Sequence, residues 1–164
     1  MGAPAACVVA LLLVCAGCTK KEPRGPGRIV TLDTDVVGLS GLTVDEHEAF
    51  WAAGEEGEAV IRIDATHFGV TRYPVVGVPS GTDLEAMAWI DGTRFVLGTE
   101  TQEKGRVRDV ILEGRLRGAR FEVAPVGSLE YSRWNLAAPD NRGIEGICHL
   151  DGVLALATEL VERE

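Results

Sequence analysis

From Ile29 onward, apolar and polar side chains alternate with a period of two residues, in short runs separated by Gly, Pro and Asp-Gly. An amphipathic helix would instead show a period near 3.6 residues. Runs of this kind, rich in Val, Ile, Phe and Thr, are typical of β-strands joined by tight turns. The sequence therefore predicts an all-β domain, with strands at residues 29–32, 39–44, 49–54, 59–64, 70–76, 84–90, 94–101, 106–112, 119–126, 144–150 and 153–158.

Three of the predicted hairpins are similar to one another in sequence. Their first strands begin with LSGL at residue 39, LEAM at residue 84 and IEGI at residue 144. A glutamate closes each second strand, at Glu55, Glu100 and Glu159. The starts lie 45 and 60 residues apart, and the longer gap contains the loop at residues 131–142. Repeats of about 45 residues with four strands each are typical of β-propeller blades, although another meander with similar hairpins would share the pattern.

The segments at residues 38–64, 81–101 and 141–159 resemble the repeats of the esterase-like phytase family and of the related SdiA-regulated propellers. In those families the pattern D-x-E-(G/A)-(I/L/M)-A opens an inner strand, and a glutamate closes the next strand. The resemblance implies a propeller of the cell envelope, with ester or phosphoester hydrolysis as the activity that the family name suggests. Because propellers close with about 4–8 blades, we expect this chain to hold an incomplete one, with two blades and the start of a third.

The N-terminus predicts a membrane anchor. The first seventeen residues contain no charged side chain, and residues 5–15 are all apolar. This run is about half the ~20 residues of a membrane-spanning helix, which suits a signal peptide. It ends in Cys15-Ala16-Gly17-Cys18, which resembles the lipobox of bacterial lipoproteins with Cys18 as the acylated residue.

These features divide the chain into a signal peptide (1–17), a tether (18–27) and a propeller-like domain (28–164). We expect a protein anchored by lipid in the bacterial cell envelope, at the outer membrane or its periplasmic face. Secretion without a lipid is the alternative. Since 16 Lys and Arg stand against 25 Asp and Glu, for a net charge of −9, no basic surface is available for a nucleic acid.

Strand alternation assigns side chains to faces. On the second hairpin, Glu85, Met87 and Trp89 are predicted to share one face, opposite Leu84, Ala86, Ala88 and Ile90. On the third, Glu145, Ile147 and His149 oppose Ile144, Gly146, Cys148 and Leu150. We expect Cys148 to pack between blades as a small apolar group. Gly41, Ala86 and Gly146 are expected to be small because inner strands crowd together there.

Hairpin pairing brings acids together, in one of two registers. If Gly92 and Thr93 form the centre of the turn, Glu85 lies opposite Glu100; if the turn pair is Asp91-Gly92, Glu100 faces Asp83 instead. Opposed carboxylates about 5 Å apart repel each other. A divalent cation, a neighbouring Lys or Arg, or a raised pKa must relieve the repulsion.

Oxygen ligands favour calcium or magnesium over zinc. The candidate metal ligands are Asp83, Glu85, Glu100, Glu145 and Glu159. The alternative is that these acids end strands in water or pair with Arg72, Arg94 or Arg106.

Direct catalysis has fewer candidates. His149 is the one histidine inside a repeat motif and is predicted to share a face with Glu145, so it is the candidate for acid–base chemistry; a structural histidine is the alternative. Ser40 lies in GLSG, which looks like part of a nucleophile elbow, but Leu42 replaces the final Gly of that motif. The loop at residues 131–142 is long for a blade connection; it is a candidate border of a ligand site, and variable decoration is the alternative.

The sequence therefore predicts an envelope lipoprotein whose propeller-like domain binds a divalent cation, calcium first, or a small ligand. One alternative is an ester or phosphoester hydrolase with metal-assisted attack by water. The other is an interaction module that pairs with another protein, or with a second copy of itself, through open edge strands.

Overall fold

The computed structural model describes residues 30–101, 105–134 and 143–158. Within these ranges the chain forms ten β-strands and one short helix. The elements are β1 (Leu39–Val44), β2 (Phe50–Gly54), β3 (Ala59–Ile63), β4 (Val70–Val76), β5 (Thr82–Asp91), β6 (Arg94–Thr101), β7 (Arg108–Arg117), β8 (Arg120–Glu130), α1 (Tyr131–Trp134), β9 (Ile144–Leu150) and β10 (Val153–Thr158).

The prediction of an all-β chain is confirmed. Five strands have the predicted bounds, and β5, β7 and β8 extend beyond theirs. The strand predicted at residues 29–32 is wrong for its described part, since residues 30–32 form no strand. Helix α1 lies in what the sequence predicts as a loop. None of the described residues belongs to a helix long and apolar enough to cross a membrane.

Eight strands form one sheet in the order β1-β2-β3-β4-β8-β7-β6-β5. It consists of two antiparallel meanders, β1–β4 and β5–β8, joined by a short parallel pairing of Val75 and Val76 with Phe121 and Glu122. The two end strands, β1 and β5, lie against each other, so the sheet is nearly closed and barrel-like. The remaining hairpin, β9–β10, is a separate two-stranded sheet that packs against β5 and β6 through β9.

The strands β1 and β5 approach each other closely at Gly41. This residue has a φ of +60°, and a Cβ built there would lie 2.5 Å from the backbone nitrogen of Met87. Next to this contact, the backbone N–H of Trp89 donates a hydrogen bond to Oγ1 of Thr43, 3.0 Å away. Glycine is required at residue 41 both for its left-handed backbone and for the space that a side chain would take from β5.

Of the other two residues predicted to be small because of crowding, one lies in a crowded position and the other does not. Ala86 is buried, 1% exposed, where β1 meets β5, as expected. Gly146 is half-buried, and the nearest atom to a Cβ built there would be Ala157 of its own hairpin, at 3.3 Å. The crowding that the sequence predicts at Gly146 is instead found at Gly98, where a Cβ would lie 2.6 Å from Cγ2 of Ile144.

The core lies between the two meanders. Trp51 on β2 packs against Phe95 on β6 with ring centroids 5.0 Å apart, and Phe95 packs against Phe121 on β8 at 5.3 Å. Leu97 and Leu112 belong to the same buried cluster. Because aromatic rings bury large areas and prefer tilted contacts, these residues hold the meanders together and fix the strand ends that carry the acids.

Cys148 is exposed on β9. The prediction that it packs between blades is therefore wrong. The reason lies in the neighbouring strand: all six residues of β10 are exposed, so nothing among the described residues covers this side of the hairpin.

The contact at Gly41 yields a stability prediction. Gly41→Ala and Gly81→Ala both place alanine at a positive φ, +60° and +69°, which costs about 1–2 kcal/mol. Only at Gly41 does the new methyl group also collide with another strand, since nothing lies within 4 Å of a Cβ at Gly81. We expect Gly41→Ala to reduce the free energy of unfolding by about 1–3 kcal/mol more than Gly81→Ala, measured by urea unfolding. Equal losses would contradict the close approach of β1 and β5.

Candidate functional site: an acidic cluster beside a buried arginine

Two β-bulges in β5 determine which acids face each other. Asp91 pairs with Arg94, so the turn centres on Gly92 and Thr93. Bulges between Leu84 and Ala86 and between Trp89 and Asp91 then shift the register, and Glu100 lies opposite Asp83. The position of the turn agrees with one predicted register, and the pairing of Glu100 with Asp83 agrees with the other. The two are combined because each bulge takes up one extra residue of β5, which a regular hairpin cannot do.

The bulges also change the predicted faces. With Glu85 left out of the pairing, Leu84 falls on the same face as Met87, and both lie in the main core cluster. The prediction that Leu84 and Met87 lie on opposite faces is therefore wrong. The same holds in the third hairpin, where Ile144 shares a face with Ile147.

A bulge recurs near the same position in each of the three similar hairpins. It falls between Ser40 and Leu42 in the first, at Glu85 in the second and at Glu145 in the third. Bulges re-aim side chains and are common beside functional sites. The three bulges lie on β1, β5 and β9, the strands that pack side by side, and Ser40 beside the first bulge reaches Glu85 at the second.

Glu85 is the centre of this meeting point. Its Oε2 accepts a hydrogen bond from Oγ of Ser40 on β1, at 3.0 Å. Burial raises the pKa of Glu85, and the nearby carboxylates of Glu145, Glu55 and Asp83 raise it further, against the opposing effect of the Ser40 hydrogen bond. The strongest influences on this half-buried acid are thus burial, one hydroxyl and three like charges.

Glu100 has a different environment. It is only 6% exposed, and Gly143 packs directly against it. Burial raises the pKa of Glu100, while the guanidinium of Arg106 opposes that rise. Nη1 of Arg106 lies 3.5 Å from its Oε1, so this carboxylate is paired with a cation inside the protein.

Arg106 also holds a second buried acid. Its Nε lies 3.4 Å from Oδ1 of Asp109 and donates a hydrogen bond to the hydroxyl of Tyr131, at 2.7 Å. The Tyr131 hydroxyl in turn donates to Asp109, whose pKa is raised by burial and lowered by Tyr131 and Arg106. Buried ion pairs persist when hydrogen bonds complete them, and α1 provides that completion by positioning Tyr131.

The acids therefore separate into two groups. Glu100 and Asp109 surround Arg106 and are compensated by it, although Oε1 of Glu100 and Oδ1 of Asp109 accept no hydrogen bond from the described residues. Glu85, Glu145, Asp83 and Glu55 form the second group, which we call the acidic cluster. It attracts positive charge, because its members lie close enough to raise the pKa of Glu85.

Four of the five predicted metal ligands lie in or next to this cluster. Glu85 is half-buried and Glu145 exposed, while Asp83 and Glu100 face each other across the hairpin. Glu159 lies outside the described residues, as does Cys18. No three His, Cys, Asp or Glu side chains of the described ranges are close enough together, as placed, to hold a metal ion.

The predicted alternative, pairing with arginine, holds for one of the acids. Of the three arginines, Arg106 reaches Glu100. Arg94 pairs with Asp91 beside the turn, and Arg72 lies 3.9 Å from Asp35 and from Glu58.

His149 lies near Asp91, whose pKa it helps to lower after the larger effect of Arg94. Among the groups that shift the pKa of Glu85, the strongest are carboxylates and Ser40, and His149 is not one of them. The candidate acid–base residue is thus placed toward the turn end of its hairpin, away from the bulge.

Three partners of the site, Ser40, Asp109 and Tyr131, were not identified as such from the sequence. Ser40 aligns with Glu85 and Glu145 in the three similar segments, and this position could have marked it as part of the site. Asp109 and Tyr131 have no such signal, since they meet Arg106 only through the fold. A loop was predicted at residues 131–142; residues 131–134 of it are described, and they form α1.

No protein family, curated protein or solved structure matches this chain.

The environment of Glu85 predicts a pH-dependent stability. A carboxyl with a raised pKa in the folded state stabilises the fold when protonated, and this contribution is lost as pH rises from the unfolded value, about 4.3, through the folded one. Glu85→Gln should therefore raise the free energy of unfolding at pH 7, by about 1 kcal/mol or less because solvent screens a half-exposed group. The difference should vanish below about pH 4.

Urea unfolding of both proteins between pH 4 and pH 7 measures this effect. The control is Glu46→Gln, an exposed glutamate in the turn after β1, which should change stability little across the range. A variant at residue 85 that is less stable than the wild type at pH 7 would show that the glutamate is compensated in the folded protein.

Proposed function

We propose that this chain is a bacterial cell-envelope lipoprotein whose domain binds a cation at the acidic cluster. The observation that carries the proposal is the environment of Glu85, where burial and three other carboxylates raise the pKa. Holding like charges together costs free energy. A cation bound at Glu85 would recover that free energy, whereas Arg106 already does so for Glu100 and Asp109.

The proposal includes a propeller-like arrangement, in which β1–β4 and β5–β8 are two blades and β9–β10 begins a third. Four observations support it. Each meander has four antiparallel strands. The similar segments LSGL and LEAM in their first strands are 45 residues apart. β1, β5 and β9 pack in sequence, and a bulge recurs near the start of each of these strands. Inner strands of a propeller surround a central channel, so successive bulges would present their acids to one ligand.

A divalent cation, calcium first, is the ligand that we propose. Calcium takes oxygen ligands in flexible geometry, and Glu85, Glu145 and Asp83 supply them. As placed, these side chains are not close enough to hold a metal together, so the exposed Glu145 would have to turn toward Glu85. A cationic group on a small molecule is the alternative ligand, since it needs a charge-assisted hydrogen bond to one carboxylate only.

Ester or phosphoester hydrolysis is the second candidate, and one contact favours it. The Ser40 hydroxyl donates to Glu85, a carboxylate of raised pKa. Such a carboxylate can accept the serine proton while Oγ attacks a carbonyl or phosphorus centre. The bond from that centre to the alcohol oxygen then breaks, the protonated Glu85 returns the proton to the departing alcohol, and water hydrolyses the serine adduct. Turnover of a generic ester by the wild type that is lost in Ser40→Ala would support this function over simple binding.

Calcium should stabilise the protein if the first proposal is correct. Calcium at 100 times its Kd adds about 2.7 kcal/mol to the free energy of unfolding, so millimolar calcium should raise the Tm relative to chelator. Glu85→Gln should remove most of this increase, because it removes the central ligand. Thermal unfolding with calcium and with chelator measures both effects.

The control is Tyr131→Phe, which removes the hydroxyl between Arg106 and Asp109. We expect it to cost about 1–3 kcal/mol with and without calcium, while the calcium-dependent increase remains. A Tm of the wild type that does not respond to calcium would remove the metal from the proposal and leave the organic cation as the ligand to test.

The anchor has its own test. Because the apolar run ends at Cys18, the full-length protein should partition into detergent, and Cys18→Ala should abolish this partitioning. Intact-mass measurement should show a diacylglyceryl group on the wild type, since several acyl chains together hold a protein at a membrane. An unmodified, water-soluble mature chain would contradict the lipoprotein proposal.

A further inference from the structure

Strand β10 is an exposed sheet edge. Within the described ranges it pairs with β9 on one side and with no strand on the other. All six of its residues are exposed, with Val153 at 66%, Leu154 at 39% and Leu156 at 37%. An edge of this kind presents unpaired backbone N–H and C=O groups beside apolar side chains.

The residues of β10 do not protect this edge. The strand reads VLALAT, with no charged residue, proline or glycine. Elsewhere in the molecule, β4 carries Arg72 and Pro74 along the part that β8 leaves unpaired, and β8 carries Pro125 beyond its contact with β4. Charges and prolines on an edge prevent pairing with another chain, and β10, unlike the described parts of β4 and β8, carries neither.

The two meanders indicate what fits on this edge. β10 is the second strand of its hairpin, as β2 and β6 are of theirs. β2 is flanked by the antiparallel strands β1 and β3, and β6 by β5 and β7. The corresponding partner for the outer edge of β10 is therefore an antiparallel strand.

We propose that β10 pairs antiparallel with β10 of a second copy of this chain. Two identical strands related by a two-fold axis are antiparallel, so the contact closes as a dimer. The product is a four-stranded sheet in the order β9-β10-β10-β9, with as many strands as each meander. The absence of charge on β10 suits this partner, because charged residues on an edge strand oppose its pairing with another strand.

The dimer is expected to be weak. Six paired residues bury much less than the ~1,600 Å² of a standard interface, and the net charge of −9 on each chain opposes association. Raising the salt concentration should therefore strengthen the dimer, since it screens this repulsion.

Two measurements test the pairing on the full-length chain in detergent. Sedimentation equilibrium over about 1–200 µM protein, a range suited to a small interface, should show a monomer–dimer equilibrium. Hydrogen exchange should show slower exchange at residues 153–158 as the protein concentration rises, because the outward N–H groups become bonded. Association through the anchor alone would leave the exchange of β10 unchanged and would overturn the proposal, as would a monomer at all concentrations.

The variants are Leu156→Lys and Val153→Lys, both at exposed residues that need no repacking. Each should raise the dimer Kd by about tenfold or more, since a charged residue on an edge strand opposes pairing with another chain. The control is Val126→Lys on β8, at a residue 58% exposed, which should leave the Kd unchanged. Circular dichroism verifies that each variant is folded, and an unchanged Kd in both folded β10 variants would contradict the proposal.

Cation binding and this pairing can fail separately. The dimer is expected equally with calcium and with chelator, because β10 carries none of the residues of the acidic cluster. A dimer that forms only with calcium would show that the association depends on the acids rather than on β10, and would overturn the assignment to this strand.

Discussion

The close contact between β1 and β5 is the constraint on which the site depends. At Gly41 the two backbones approach to a distance that excludes even a methyl group. This approach brings the Ser40 hydroxyl to Glu85, and the neighbouring Thr43 accepts a hydrogen bond from the backbone of β5. With any side chain at residue 41 the strands would separate, and the hydrogen bond at Glu85 would be lost with the packing.

The same close packing explains why the acids have two kinds of environment. Glu100 and Asp109 are covered by other elements and could not remain there without Arg106 and Tyr131, since a buried, unpaired carboxylate is strongly destabilising. Glu85 and Glu145 keep partial access to water, so the fold tolerates their mutual repulsion. The repulsion contributes to the raised pKa of Glu85. It also makes the region around Glu85 a position where positive charge from solution is favoured.

Much of the fold could be predicted from local pattern. The sequence pattern predicted the bounds of β1, β4, β6, β9 and β10, because each is a short run of residues that favour strands, ended by a turn or a polar stretch. Helix α1 could not be predicted, since four residues carry no periodicity. The cluster of acids was expected from the similarity of three segments. The compensation of the buried acids by Arg106 was not expected, because its contacts with Asp109 and Tyr131 connect elements that only the folded chain brings together.

The paired bulges of β5 have a consequence for how this hairpin can vary in length. Each bulge reverses the alternation of side chains, so Met87 and Trp89 follow one parity between the two bulges while the strand ends follow the other. Each bulge holds one residue that is left out of the pairing, Glu85 in the first and Ile90 in the second. Deleting either of these residues would regularise the pairing there and leave every other side chain on its present face, with Glu100 still opposite Asp83. Deleting a residue between the bulges would instead turn the side chains on one side of the deletion to the opposite face. The hairpin can therefore shorten at its bulges without loss of the core, but shortening at the first bulge removes the central acid of the cluster.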